Sequence, residues 1–225
     1  MDKLNRGLIV SCQAVEGEVL HGLGIMKYFA RAAAAGGAKG IRANTAQDIR
    51  DIKTETDLPI IGIVKAVYPD SDVYITPTKK EVQELLDCGC EVIALDATLR
   101  RRPNGETLQS LVDMIRNSGK DVQIMADCSD LEEARAAYKM GFDYIGSTLR
   151  GYTAHTRGTA LPDYDFLRTM VQEFPNAHVI AEGGIWERDQ LRRVCETGVY
   201  AVVIGSSITR PKDITQRFVE AMQLC

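Results

Sequence analysis

Apolar and polar positions follow one another along this chain in blocks. Eight short runs rich in valine, isoleucine and leucine are each followed by a stretch of helical periodicity, which predicts eight strand–helix units. The predicted strands span residues 8–12, 40–42, 60–65, 92–95, 122–126, 144–146, 179–181 and 201–204. The predicted helices lie near residues 24–36, 45–56, 78–87, 106–118, 130–140, 164–173, 187–196 and 212–223. Thr45 is expected to cap the second helix and Ser129 the fifth.

Within the predicted strands the apolar residues are continuous and do not alternate with polar ones. Such runs are typical of a parallel sheet that is covered on both faces. Eight units in 225 residues fit a (β/α)8 TIM barrel. An open, doubly wound sheet is the alternative, although it seldom needs eight strands and would carry a single glycine-rich fingerprint. Because no linker interrupts the pattern, we expect residues 1–225 to form a single domain.

Polar residues collect just after nearly every predicted strand. In a barrel the active site lies at the carboxyl ends of the strands, where these residues would face one another. A purely structural role does not account for so many polar residues at one end, so the pattern predicts a ligand site. The residues are Ser11, Gln13, Arg42, Asn44, Lys65, Asp96, Thr98, Asp127, Ser147, Thr148, Glu182, Gly183, Gly184, Gly205, Ser206 and Ser207.

The third predicted strand ends unusually. Residues 60–64 read IIGIV, and the next residue is Lys65. Such a lysine either extends its amine to water or acts in the site, as a Schiff-base former, a general base or the partner of an anion. Glu182 is predicted to lie across the barrel mouth from it. Burial would lower the pKa of the lysine, whereas contact with Glu182 would hold it charged.

Two glycine-containing loops follow the seventh and eighth predicted strands. They read EGG at 182–184 and GSS at 205–207. Barrel enzymes often bind phosphate with the loops at these two places, where glycine lets backbone N–H groups approach an anion. Arg210 is close enough in sequence to reach the same anion. The two loops together predict a phosphorylated ligand.

The connection after the sixth predicted strand, residues 147–161, is long for such a fold and has no apolar periodicity. Loops of this length often cover a site or bind a ligand, so we interpret it as a lid. A disordered insertion is the alternative. His155, within this loop, is expected to be a lid or surface residue and not a catalyst.

Composition narrows the range of functions. With 45% hydrophobic and 26% charged residues the sequence is ordinary for a globular protein, and a net charge of −4 does not favour nucleic-acid binding. No signal peptide or membrane-length apolar run is evident, so we expect a cytoplasmic protein with no membrane partner. The cysteines lack zinc or CxxC spacing, and we expect free thiols and no metal site; they are Cys12, Cys88, Cys90, Cys128, Cys195 and Cys225.

Eight stretches carry a more specific pattern: LIVSCQA at 8–14, GIRANT at 40–45, PIIGIVK at 59–65, ALDATLR at 94–100, MADCS at 125–129, GSTLRGYT at 146–153, VIAEGGI at 179–185 and VVIGSSITRP at 202–211. Together they resemble the N-acetylmannosamine-6-phosphate 2-epimerase family. The resemblance spans nearly the whole chain and includes the long loop. Residues 15–21 look like a more variable part of the pattern, and no role is assigned to them.

The resemblance implies a cofactor-free (β/α)8 isomerase of sialic-acid and amino-sugar catabolism. It would interconvert N-acetylmannosamine 6-phosphate and N-acetylglucosamine 6-phosphate, with a homodimer expected by analogy. The resemblance implies that Lys65 is the catalytic acid/base and Glu182 its partner. The implied substrate-binding residues are Arg42 and Asp127 at the sugar and Gly183, Gly184, Gly205, Ser206 and Arg210 at the phosphate, and Gln13 joins them as a predicted binding residue.

The chemistry of these two sugars agrees with a lysine and a carboxylate in one site. They differ only in configuration at C2, whose proton becomes acidic once C1 is an aldehyde. We expect Lys65 to act on one face of C2, with Glu182 either acting on the other face or relaying protons to Lys65. Asp127 or Arg42 would orient the sugar, and a substrate hydroxyl could carry one proton transfer instead.

Two other functions fit parts of the pattern. A phosphosugar lyase would use Lys65 to form a Schiff base with the substrate carbonyl. A non-catalytic regulatory barrel would bind a phosphosugar tightly without exchanging its protons. Both differ from the epimerase hypothesis in what happens at C2.

Overall fold

The computed structural model of this protein describes residues 2–223. Eight parallel strands pair in sequence order, and the eighth pairs with the first, so the sheet closes into a barrel. This confirms the predicted (β/α)8 TIM barrel over the open-sheet alternative. Strands β1 to β8 are Gly7–Cys12, Gly40–Asn44, Ile60–Ile63, Val92–Asp96, Gln123–Asp127, Tyr144–Gly146, His178–Glu182 and Ala201–Ile204.

Helices lie between the strands, as the periodicity predicts. Helices α1 to α9 are Met26–Ala35, Ala46–Lys53, Lys79–Cys88, Leu108–Arg116, Leu131–Lys139, Tyr164–Glu173, Arg188–Cys195, Ser206–Thr209 and Pro211–Met222. A 3-10 turn, Pro103–Gly105, precedes α4. The one-turn helix α8 was not predicted, because four residues are too few for a helical period to be visible.

Two local expectations are corrected by the structure. Thr45 caps α2 as expected, but α5 is capped by Asp130, whose carboxylate accepts a hydrogen bond from Glu133 N at 2.9 Å. Strand β3 stops at Ile63, and Lys65 forms an antiparallel bridge with Ile75 from the following loop. Lys65 therefore stands just beyond the strand.

Successive residues of each strand point alternately into the barrel and out towards the helices. The interior is filled by a small apolar cluster that includes Ile9, Ile61, Val92, Met125 and Ile180. Their neighbours along the chain join the larger cluster between sheet and helices. Because both faces are apolar, the sequence reads as continuous runs.

Inward-pointing polar residues lie above the apolar interior, at the carboxyl ends of the strands. Two residues beyond Ile9, Ile63, Met125 and Ile180 on the same alternation come Ser11, Lys65, Asp127 and Glu182. The same parity places Arg42 inside, between the outward-facing Ile41 and Ala43. Strand alternation thus brings these side chains to one end of the barrel.

The cysteines of the described residues are free thiols, as expected from the sequence. Cys12, Cys88, Cys90 and Cys128 are buried free thiols and Cys195 is an exposed one, whereas Cys225 lies outside the described residues. No helix among residues 2–223 has both the length and the apolar character needed to cross a bilayer. The expectation that residues 1–225 form one domain stays a prediction.

Candidate active site

A cavity of about 260 Å³ opens at the carboxyl ends of the strands. Six of the eight strands or the loops directly after them contribute to its wall, and the contribution of β6 is its long loop. The lining is mixed polar and apolar, consisting of Ser11, Gln13, Arg42, Ile63, Lys65, Tyr74, Ile75, Thr148, Tyr152, Glu182, Gly183, Gly184, Ile185, Trp186, Val203, Ile204, Gly205, Ser206, Thr209 and Arg210.

A buried arginine organises the acidic side of the cavity. Arg42 Nη1 and Nη2 donate to the two carboxylate oxygens of Asp127 at 3.0 and 2.6 Å, and Arg42 is 1% exposed. Glu182 Oε2 lies 3.0 Å from the same Nη1. Although burial alone would lower it, Asp127 and Glu182 raise the pKa of Arg42 above its ordinary value. The guanidinium is therefore a fixed positive charge in the floor of the cavity.

Lys65 lies beside this cluster without joining it. Its backbone N–H donates to Asn44 Oδ1 at 2.9 Å, which fixes the start of its side chain. Within residues 2–223, no carboxylate oxygen comes within ion-pair distance of its amine. Burial, followed by the positive charges of Arg42 and Arg210, lowers the pKa of Lys65 to about 8, although Glu182 and Glu18 oppose the shift.

The relation between Lys65 and Glu182 therefore differs from a simple ion pair. The sequence left open a contact that would hold the lysine charged, but the carboxylate of Glu182 pairs with Arg42. Burial raises the pKa of Glu182, with Arg42 lowering it and Asp127 raising it again. A base with a lowered pKa and an acid with a raised pKa thus line one cavity, which is the condition for proton transfer near neutral pH.

Two buried polar atoms near the cavity have no hydrogen-bond partner within the described part of the chain. They are Gln13 Oε1, an acceptor, and Arg42 Nε, a donor, and both residues line the cavity. The amide nitrogen of Gln13 already donates to Ser11 Oγ at 2.8 Å, which turns Oε1 away from Ser11. Unpaired buried atoms of this kind cost stability, and a polar ligand would satisfy them.

The part of the cavity wall that follows Glu182 is made by the two glycine-containing loops. Gly183 and Gly184 have φ values of +113° and +72°, a region that favours glycine. A Cβ on Gly184 would lie 2.9 Å from the carbonyl carbon of Leu161, so this loop packs directly against the end of the lid. Gly205 is the N-cap residue of the one-turn helix α8. Glycine at these places brings main chain to the cavity surface.

Arg210 carries the positive charge of this wall. Its guanidinium is 3.1 Å from Glu18, which belongs to the segment after β1 that has no role assigned from the motifs. The arginine side chain is half-buried, and it is one of the charges that depress the pKa of Lys65. An anion bound between the glycine loops would be attracted by Arg210, with Glu18 as its competitor.

The loop after β6 has a defined conformation and contributes to the wall of the cavity, whereas its action as a lid stays a prediction. Its first turn is fixed by Leu149 N donating to Cys128 O at 3.0 Å, and Arg150 reaches Asp163 at 2.9 Å. His155 is exposed and bonds Asp130 Oδ2 at 2.8 Å, outside the cavity. Thr148 and Tyr152 from this loop line the cavity.

Asp130, Glu133 and His155 bring potential metal ligands within 4.8 Å of one another. Glu133 Oε2 is, however, already occupied as a helix cap: it accepts hydrogen bonds from Ser129 N and Ser129 Oγ at 2.6 and 2.7 Å. The group therefore explains how α5 begins and how the lid is held, and it lies apart from the cavity.

Comparison with known proteins places the chain in a family. A family described as putative N-acetylmannosamine-6-phosphate epimerase matches residues 26–224. A Staphylococcus carnosus protein named putative N-acetylmannosamine-6-phosphate 2-epimerase is 56% identical over 220 residues, 97% of either chain. This chain belongs to the N-acetylmannosamine-6-phosphate epimerase family.

Two further relatives have the same description. A Staphylococcus aureus protein named putative N-acetylmannosamine-6-phosphate 2-epimerase is 54% identical over 222 residues, covering 98% of this chain and 99% of the relative. A solved N-acetylmannosamine-6-phosphate 2-epimerase structure from Clostridium perfringens superimposes with a TM-score of 0.91 at 48% identity. That match covers 95% of this chain and 92% of the other. The family resemblance seen in the motifs is confirmed.

The site residues predicted from the sequence of this epimerase-family chain converge on one cavity. Of the ten, only Asp127 is absent from the lining, because it is fully buried behind Arg42. The structure therefore brings the predicted set together but gives Asp127 contact with the arginine instead of with the cavity. The nine lining residues are Gln13, Arg42, Lys65, Glu182, Gly183, Gly184, Gly205, Ser206 and Arg210.

Several lining residues of the epimerase-family cavity were missed. Tyr74 comes from the loop after β3, where no sequence signal marks it, and burial followed by Asp127 raises its pKa to about 12. Trp186 and Tyr152 add aromatic surface from two other loops. Thr148 was noted only as one of the polar residues after β6. Its position directly after a strand end was the available signal.

Proposed function

We propose that this epimerase-family protein interconverts N-acetylmannosamine 6-phosphate and N-acetylglucosamine 6-phosphate by moving the proton at C2. The observation that carries the proposal is that Lys65, whose pKa is lowered to about 8 by burial and by Arg42, lines the same cavity as Glu182 and the glycine loops. Family membership supports the substrate pair, which is the reaction named for its relatives.

The proposed reaction needs proton transfers only. With the ring open, the C1 aldehyde makes the C2 proton acidic; its removal places the electron pair in an enolate across C1 and C2. Return of a proton from Glu182 to the opposite face of C2 gives the epimer and leaves Lys65 protonated and Glu182 ionised. A proton passed from Lys65 to Glu182, directly or through solvent, restores the starting state. The positive guanidinium of Arg42 is suited to stabilising negative charge that develops on the substrate.

Each predicted residue has a role that its surroundings support. Neutral Lys65 takes the C2 proton as general base, and at pH 7 a pKa near 8 leaves roughly one lysine in ten neutral. Glu182 supplies or relays the second proton. Asp127 holds Arg42 in place, and the unpaired Gln13 Oε1 accepts a hydrogen bond from a sugar hydroxyl or amide.

The phosphate is proposed to bind between the loops at 183–184 and 205–206. Main chain at the cavity surface and the Arg210 guanidinium are the groups that suit a phosphate dianion. Anchoring the substrate at this end would fix the distance from C2 to Lys65. Replacement of Glu18 by phosphate as the partner of Arg210 would couple binding to the segment after β1.

The first test is to incubate the protein with N-acetylmannosamine 6-phosphate in D2O and follow the C2 proton by NMR. We expect that signal to disappear as the gluco epimer forms, and we expect neither change in Lys65→Ala. Exchange without epimerisation in Glu182→Gln would assign the second face to Glu182. If the wild-type protein binds the sugar but neither exchanges nor epimerises it, the proposal is wrong.

The two alternatives give different results in the same experiment. A lyase would yield fragments of the sugar, and borohydride would trap the substrate on Lys65. A regulatory barrel would bind the sugar tightly, and Lys65→Ala would change affinity alone. The lowered pKa of Lys65 suits the lyase as well, but the adjacent Glu182 with a raised pKa favours proton transfer at C2.

We also propose that two copies of the chain pair through α9. This helix of 12 residues has none buried, although it is amphipathic. Phe218, Val219 and Met222 lie on one face of it and are all exposed, with Phe218 at 71% and Met222 at 77%. An apolar helix face of this kind is typical of an interface, and a second copy is the partner expected for this family member.

A cytoplasmic location is proposed on the chemistry of the thiols. All five cysteines of the described residues are free, and four of them are buried in the apolar layers. Free cysteines in this number fit a reducing compartment. Localisation of a tagged chain in its native host would test this proposal.

A further inference from the structure

The Thr148 hydroxyl lies between the carboxyl groups of Asp127 and Glu182, on the acidic side of the cavity. Its Oγ1 lies 2.6 Å from Asp127 Oδ1 and 3.1 Å from Glu182 Oε2. A threonine hydroxyl has one proton, so it donates to only one of these oxygens and presents lone pairs to the other. The effect of Thr148 on the protonation of Glu182 therefore depends on which of the two carboxyl groups accepts its proton.

Asp127 is the better acceptor for that proton. It is the nearer of the two, and both of its oxygens already accept charge-assisted hydrogen bonds from Arg42, at 3.0 and 2.6 Å. Were Thr148 to donate to Glu182 instead, two oxygens carrying only lone pairs would face each other at 2.6 Å. The shorter distance therefore places the proton between Thr148 and Asp127.

The consequence falls on Glu182. With its proton directed to Asp127, Thr148 offers a lone pair to Glu182 Oε2 at 3.1 Å. A Glu182 carboxylate would meet that lone pair with its own, whereas a carboxylic acid would donate a hydrogen bond to it. We propose that Thr148 is a positioning residue that favours the acid form of Glu182 and aims its proton.

The charged groups around Glu182 oppose one another, which gives Thr148 influence over the balance. Burial raises the pKa of Glu182; Arg42, 3.0 Å away on β2, lowers it, and Asp127 on β5 raises it. A hydrogen bond donated by Thr148 would lower it, as Lys65 does, but the Thr148 proton is directed to Asp127. The result lies above the ordinary glutamate value. A single neutral hydrogen bond is worth about 1 kcal/mol, enough to shift such a balance about fivefold.

The backbone of this region leaves the contact little freedom. Ser147 Oγ donates to Glu182 O at 2.9 Å and accepts from Glu182 N at 3.0 Å, so adjacent residues of one loop hold both the main chain and the side chain of Glu182. On the proposed function, the acid form of Glu182 would be the proton donor for one face of C2, with neutral Lys65 as the base for the other. Thr148 would then act through Glu182 without touching C2.

The protonation of Glu182 can be measured without substrate. The full-length protein is labelled with carboxyl-13C glutamate, and the Glu182 resonance is identified by its absence in Glu182→Gln. We expect the wild type and Thr148→Ser to titrate above the ordinary glutamate range. We expect Thr148→Val, which keeps the shape and removes the hydroxyl, to bind the Glu182 proton at least threefold more weakly.

Kinetics provide the second readout. Thr148→Val is expected to lower kcat about tenfold and leave KM within twofold, while Thr148→Ser retains most of kcat. A purely structural role would instead move the melting temperature of both variants with no change in the titration. If Thr148→Val does not fold, Thr148→Ala replaces it as the variant without the hydroxyl.

Two results would overturn the inference. One is a wild-type Glu182 that titrates at or below the ordinary glutamate value. The other is an unchanged or higher pKa in the variant that lacks the hydroxyl. Because the titration uses no sugar, failure of the epimerase proposal leaves this measurement intact, and an active epimerase with an unmoved titration would reject the Thr148 role alone.

Discussion

Among single residues, Lys65 decides how the site responds to pH. Its amine must be neutral to remove a proton, and its pKa of about 8 lies well below the ordinary lysine value because it is buried near Arg42. Because the proposed mechanism also needs a protonated Glu182, we expect kcat/KM to be highest between the pKa of Glu182 and that of Lys65 and to fall about tenfold per pH unit above pH 8. A pH–rate profile of the wild type measures this. A kcat/KM that stays level to pH 10 would mean that the amine is not the base or that its pKa is not lowered.

The same shift makes Lys65 a cost to stability. The charged form is disfavoured in the folded state, so the wild-type free energy of unfolding should increase as pH rises from about 8 to the unfolded value near 10.5, and the penalty is fully present below pH 8. We expect Lys65→Met to stabilise the fold at pH 7, by on the order of 2 kcal/mol. Denaturant titration measures this, with the exposed Lys139→Met as control; equal effects of the two substitutions would contradict it.

Arg42 and Asp127 form a pair whose removal is expected to be expensive. Both are essentially unexposed, so losing one charge leaves the other uncompensated in the barrel interior. Asp127→Asn should therefore lower the free energy of unfolding by about 3–5 kcal/mol. The matched change Asp165→Asn, which breaks an exposed pair with Arg168, should cost less than about 1 kcal/mol. Similar losses of stability in the two variants would show that Asp127 is not needed to compensate the buried charge of Arg42.

At the scale of elements, the loop after β7 contacts the end of the loop after β6, where Gly184 lies against Leu161. Adding one methyl group at Gly184 tests this contact. Gly184→Ala would place its Cβ against Leu161 and also strain a φ of +72°. Gly119 has a φ of +70° with open space around it, so Gly119→Ala carries the strain alone, roughly 1 kcal/mol. We expect Gly184→Ala to raise KM at least tenfold and Gly119→Ala to leave it unchanged. Equal KM values would separate this loop from substrate binding.

Elements were predictable to the extent that their pattern was long enough to see. All eight strands and the eight longer helices were found, with ends displaced by a few residues. The helix α8 was missed, and Lys65 was placed in a strand that stops at Ile63. Strand ends are set by pairing with neighbours, and the bridge between Lys65 and Ile75 comes from a loop whose return no local pattern marks.

At the scale of the whole molecule, the exposed apolar face of α9 is the feature from which a dimer is proposed. If two copies pair through it, Phe218→Glu should convert the dimer to monomers, because a charge would replace the most exposed ring of that face. Light scattering after gel filtration measures the mass. Val67→Glu, at an apolar residue that is 91% exposed elsewhere, is the control and should leave the mass unchanged. A wild-type monomer would reject the proposed dimer.

The sequence by itself determined the closed barrel and the residues at its active end. Repeated strand–helix units dictate a parallel sheet, and the residue after a parallel strand lies at one end whatever the details of packing. That was enough to bring Lys65, Glu182 and the glycine loops to one cavity. The family motifs added the substrate class, which no periodicity contains.

The tertiary structure alone decided which of those residues touch. Arg42 on β2 pairs with Asp127 on β5 and with Glu182 on β7. Lys65 is therefore left without a carboxylate partner among the described residues, and its pKa is lowered. The tertiary structure also placed Asp127 behind the arginine and Thr148 between the two acids. Distances across a barrel depend on its closure and on how side chains fill it, and pKa shifts depend on those distances. Neither these distances nor these pKa shifts can be predicted from local sequence patterns.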